Sequence, residues 1–155
     1  MLPKINQQDW DVITGHKYDM EFDWIGIDQI GSIGIFSCLN RAWIPNKAIS
    51  SYEKYQGLSG LINSLPFISD AVLITGERGV FDTWLSLSRK GLYTFDYQDI
   101  HRHNKLNRYD LIYKPVVALN SNQLTGLASY KDIMPRFNLS FDAYIDLKHL
   151  EESEI

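Results

Sequence analysis

Cysteine is nearly absent. Cys38 stands alone, which excludes an intrachain disulfide and a thiolate metal cluster and fits a reducing compartment. No stretch approaches the about 20 apolar residues that a membrane-spanning helix needs. The start, MLPKINQQDW, lacks a basic segment followed by an apolar run. Neither export through a signal peptide nor a place in a membrane is expected, and the cytoplasm is the expected location. Positive charge is also scarce: 15 Lys and Arg face 19 Asp and Glu, for a net charge of -4. The cations are scattered along the chain, whereas phosphate contacts need them gathered on one face, so no nucleic-acid partner is expected. Internal repeats and low-complexity linkers are missing too.

Apolar and aromatic residues, in contrast, are plentiful. Hydrophobic residues are 45% of the 155 and aromatics 13%, with tryptophans at positions 10, 24, 43 and 84. That suffices for one domain with its own core. A single domain over 1–155 is expected, with 1–20 as a polar lead-in that docks through Trp10 and the acidic stretch 148–155 as a frayed tail.

The organising stretch is Glu21 to Ser37, EFDWIGIDQIGSIGIFS. Phe22, Trp24 and Gly26 alternate with Asp23, Ile25 and Ile27, and beyond Gly31, Ile33 and Ile35 alternate with Ser32, Gly34 and Phe36. This is strand periodicity on both sides of a tight turn. Apolar groups fall on both faces, which predicts a hairpin covered on both sides and central to the fold. After Pro45, the residues Ile49, Tyr52, Tyr55, Leu58, Leu61, Ile62 and Leu65 recur at spacings of three and four, which predicts an amphipathic helix over 46–64. Gly57 and Gly60 weaken it and Pro66 ends it. DAVLIT at 70–75 reads as a short buried strand, and 79–90 as a helix with Gly91 as its left-handed cap. Strands are expected over 92–98 and 109–119, with Pro115 at an end or edge, and a short helix near 127–133. Residues 139–147 alternate strictly, as a strand with one wet face would. The order predicts an α+β fold, a mostly antiparallel sheet with two or three helices packed against it.

No residue set forms a coherent active site. His101 and His103, two apart, share a face if extended and could chelate a metal with Asp99, but two solvated loop histidines are the default reading and neither metal nor cofactor is expected. Asp23 and Asp28 flank a strand on opposite faces, which spoils them as a catalytic pair, and Asp28 beside Gly31 reads as a turn residue. Asp96 and Asp99 offer a second carboxylate pair for acid–base work. Cys38 lacks any local nucleophile signature, and Thr75 to Gly79, TGERG, lacks the Lys-Ser/Thr of a phosphate-binding loop.

The segments FDWIGIDQIGSIGIFSCLNRAWIPN, LP at 65–66, FDTWLSLSRKGLYTFDYQD, YDLIYKP and FNLSFDAYI cover most of residues 21–145. Together they resemble a group of small bacterial immunity-type proteins of polymorphic toxin and contact-dependent growth inhibition systems. The shared positions, Trp24, Pro45, Trp84, Gly91, Tyr93 and Pro115, are structural and carry no catalytic signature. The resemblance implies a non-enzymatic cytosolic protein that binds and neutralises a cognate toxin domain, with a nuclease the expected kind. An acidic, aromatic-rich chain suits a basic partner of that sort. Aromatic and acidic groups come together in two places: Trp43 with Tyr52 and Glu53, and Asp142 with Tyr144 and Asp146. The alternatives are a small hydrolase or metal-dependent enzyme using Asp96, Asp99, His101 and His103, or a ligand-binding accessory domain with an aromatic pocket.

Overall fold

The computed structural model describes residues 1–75, 82–97, 106–142 and 144–155. Asn6 opens a first helix, α1 (Gln7–Gly15), through a capping box. Its side chain accepts from the Asp9 N–H while the Asp9 carboxylate accepts from the Asn6 N–H, so two donors that the helix start would orphan are paired. Trp10, Val12 and Ile13 form its buried face. The lead-in therefore docks through Trp10 as expected, but as a helix whose Asn-x-x-Asp signature the expectation passed over.

The expected hairpin is present as β1 (Glu21–Ile27) and β2 (Ile33–Leu39), paired antiparallel. Asp28 builds its turn, the carboxylate accepting from the N–H groups of Ile30 and Ser32 and, from a distant segment, of Phe141. The chain continues through α2 (Tyr52–Ser64), β3 (Ala71–Leu73), α3 (Asp82–Arg89), β4 (Tyr93–Tyr97), β5 (Arg108–Pro115), β6 (Ile145–Asp146) and α4 (Leu147–Ser153). The sheet order is β1-β2-β4-β5-β3, with β6 also paired to β5.

The α+β class holds, but the sheet is mixed. β2 and β4 run parallel while the other pairs are antiparallel. A parallel neighbour needs a long crossover, and the segment carrying α2, β3 and α3 supplies it. The hairpin is covered on both faces, with Trp24 and Ile25 both buried, yet β1 lies at one end of the sheet order, not at its centre. At its last residue the outer edge is bonded, Ile27 donating to the Pro135 carbonyl and accepting from the Phe137 N–H.

Several expected elements take another form. The helix over 46–64 divides at Ser50 and Ser51, where a 3-10 turn (Asn46–Ile49) ends and the Ser51 side chain caps α2 by accepting from the Lys54 N–H. Gly57 stays inside α2 because Tyr130 occupies the space its side chain would need, with the hydroxyl 2.5 Å from where a Cβ would stand. The strand over 70–75 shrinks to Ala71–Leu73 and is exposed, not buried. It pairs only with the terminal residues of β5, so nothing in the sheet covers it. Among the described residues of 139–147, only Ile145 and Asp146 join the ladder. Phe141 and Ile145 are nonetheless buried, as the alternation required. Residues 147–153 are helical, and Leu150 buries itself in the core, which anchors the tail expected to fray. Gly91 has φ of 90° at the end of α3, the left-handed residue expected there. Lys90 before it sends its amine across to the carbonyls of Ile62 and Asn63 at the end of α2, tying the two helix ends together.

Candidate functional site

The register across four strands places Asp23 opposite Ser37, Ser37 beside Asp96, and Asp96 opposite Asp110. Register partners share a face, so three carboxylates and a hydroxyl form one row running across β1, β2, β4 and β5. The adjacent residue on β1, β2 and β4 faces the other way and carries Trp24, Phe36 and Phe95, which stack in parallel on one another at 4.0 and 4.6 Å. On that aromatic side the polar atoms are satisfied internally. The Trp24 indole donates to the Tyr109 hydroxyl, which donates to the Trp43 carbonyl.

The carboxylate row is less settled. The Ser37 hydroxyl donates to Asp23 and accepts from the Trp84 indole at 2.9 Å, which fixes α3 over this face. Arg108 pairs with Asp110. Burial raises the Asp23 carboxyl above its ordinary value against the pull of the Ser37 hydrogen bond. Asp96 is pushed up to about 7, first by burial and then by the charges of Asp110, Asp23 and Glu21. Both shifts favour the neutral form, as expected where buried carboxyls stand beside one another. Glu21, exposed at the start of β1, and Asp82, exposed at the start of α3, extend the negative character outward.

Among the described residues no cluster of His, Cys, Asp and Glu is arranged to hold a metal ion. Asp99, His101 and His103 lie outside the described residues, as does TGERG beyond Thr75. Of the residues proposed for an enzyme, only Asp96 can be placed, and its neighbours are Asp110 and Asp23. Cys38 is buried, with its thiol directed to the Phe22 carbonyl and its ionisation suppressed by burial.

Each of the two predicted contact surfaces is tied into the fold. Trp43 is half-buried, edge-on to Trp24 at 6.1 Å. Tyr52 lies against Trp10 and donates its hydroxyl to the Ile5 carbonyl, while Glu53 is exposed on the first turn of α2. Asp142 pairs with Lys114, Tyr144 lies under the Arg108 guanidinium, and Asp146 caps α4. β5 thus supplies cations to both Asp142 and Tyr144.

No family model, curated protein or solved structure matches the chain. Among the described residues no helix is long and apolar enough to cross a membrane. The row itself escaped sequence reading because its members lie 14 to 87 positions apart and meet only through strand register. A signal was present all the same: Asp is a poor strand residue, yet Asp23, Asp96 and Asp110 each sit inside an aromatic or β-branched run.

Proposed function

We propose that this chain is a non-enzymatic immunity-type protein that binds and neutralises a basic bacterial toxin domain, a nuclease by preference. The observation that carries this reading is the carboxylate row with the half-buried Trp84 beside it. Like charges are held together there against their own repulsion, and an arriving Lys or Arg would relieve that repulsion. A desolvated aromatic centre with acidic surroundings is the arrangement in which the centre supplies affinity and the charge speeds encounter. A cation near Asp96 would lower its pKa, so binding would release a proton and tighten as pH rises through about 7.

Co-expression with the toxin domain encoded beside its gene tests this. The wild-type chain should restore growth, and Glu21→Lys with Asp82→Lys should slow association and weaken rescue. Trp43→Ala with Glu53→Lys, and Asp142→Lys with Asp146→Lys, probe the two alternative surfaces in the same assay. Failure of the wild type to rescue would remove the immunity reading. Rescue lost only in one of the last two pairs would move the contact there.

The hydrolase reading stands second, and Asp96 favours it, since a carboxyl at about 7 suits a general acid. Its other members, Asp99, His101 and His103, lie outside the described residues.

A further inference from the structure

Exposed large apolar side chains gather at one edge of the sheet. Phe67, Ile68, Val72, Leu73, Ile74, Val116 and Val117 are between 46% and 63% exposed. They are neighbours in space, because the Val116 N–H donates to the Asp70 carbonyl, the Val117 N–H to the Ser69 hydroxyl and the Ile74 N–H to the Ile112 carbonyl. These bonds also fix how β3 faces. Asp70 and Ile74 bond toward β5, so with the alternation of an antiparallel ladder Val72 does the same, and Ala71 and Leu73 turn their own N–H and C=O groups away from it. Those outward groups meet no hydrogen-bond partner among the described residues.

An edge strand of this kind is a template for another strand, and native proteins blunt such edges by keeping them very short or with a charge, a proline or a bulge. β3 is short, at three residues, but Ala-Val-Leu carries no charge, proline or bulge. At the exposure they show, the seven side chains present roughly 600 Å² of apolar surface in all, divided between the two faces of the edge because successive strand residues alternate. That approaches the about 800 Å² each partner buries in a specific interface.

We infer that this edge pairs with the same edge of a second copy of the chain, β3 against β3, antiparallel about a two-fold axis at Val72. The strand complements itself in that register. Ala71 of each copy would exchange both backbone bonds with Leu73 of the other, and the two Val72 residues would face each other as a non-hydrogen-bonded pair. The surface is separate from the carboxylate row, so this pairing stands or falls independently of the toxin reading.

Sedimentation equilibrium of the full chain, from micromolar to hundreds of micromolar, should show a monomer–dimer equilibrium. Val72→Lys with Leu73→Lys should weaken it at least tenfold with the circular dichroism spectrum unchanged, since both side chains are already about half exposed. The register has its own test. The Cα atoms of a non-hydrogen-bonded antiparallel pair stand about 4.5 Å apart, within disulfide range. Val72→Cys should therefore give a covalent dimer on mild oxidation, while Tyr18→Cys, more open at 62% exposure against 47% and placed just after α1, should not. Cys38 is buried and does not compete. A chain that stays monomeric throughout, a dimer indifferent to the double lysine variant, or equal cross-linking at positions 18 and 72 would each overturn the proposal.

Discussion

On one face of β1, β2, β4 and β5, the rings of Trp24, Phe36 and Phe95 lie parallel and Tyr109 meets Trp24 and Phe36 edge-on, with the Trp24 indole and the Tyr109 hydroxyl each spent on a neighbour. On the other, one residue away along each strand, Asp23, Ser37, Asp96 and Asp110 crowd negative charge into a half-buried strip. The backbone is the same and only the parity differs. The aromatic face stabilises the domain. The carboxylate face costs stability at neutral pH, and that is the expected mark of residues placed for something other than folding.

Four substitutions sharpen or break this contrast. Trp24→Ala empties the centre of the aromatic face and orphans the Tyr109 hydroxyl, so it should cost about 3–5 kcal/mol in urea unfolding; an unchanged midpoint would show that this face does not hold the domain. Asp28→Ala at the hairpin turn leaves three N–H groups without their acceptor and should cost about 2–3 kcal/mol, whereas a loss under half of that would mean water replaces the carboxylate.

The third change goes the other way. The Asp96 carboxyl sits at 3.8 when unfolded and about 7 when folded. Between those values the folded chain holds a proton that the unfolded chain has released, so stability is full below pH 4 and declines as pH rises toward 7. Asp23, also raised, adds to the decline. Asp96→Asn should stabilise the domain by about 1–2 kcal/mol at pH 8 and change it little at pH 4. Equal midpoints for variant and wild type across that range would remove the claim of strain. The smallest effect is expected from Trp84→Phe, which loses the indole donor to Ser37 at the cost of about 1 kcal/mol. A loss as large as that of Trp24→Ala would make the two faces energetically alike.

Local pattern carried the sequence reading a long way. The alternation in EFDWIGI and IGIFSCL yields the hairpin, Gly91 the helix end, and Pro115 the end of β5, because each depends on residues within a few positions. What local pattern could not supply was pairing. Nothing in DAVLIT distinguishes a buried strand from an edge, since that depends on how far β5 extends beside it. Phe141 and Ile145 both read as members of one strand, but only Ile145 joins the ladder, while Phe141 is an inserted side chain outside it, held by Asp28. The carboxylate row lies further out of reach, because a parallel β2–β4 contact is what joins Ser37 to Asp96.

The closing of β1's outer edge bears on how the chain is made. Asp28 and Phe141 are 113 positions apart, and the Ile27 bonds to Pro135 and Phe137 span nearly as much. During synthesis the hairpin can form early from its own turn, yet the Ile27 end of its outer edge stays bare until the segment around 135–141 has left the ribosome. For that interval an apolar strand edge is open to other nascent chains.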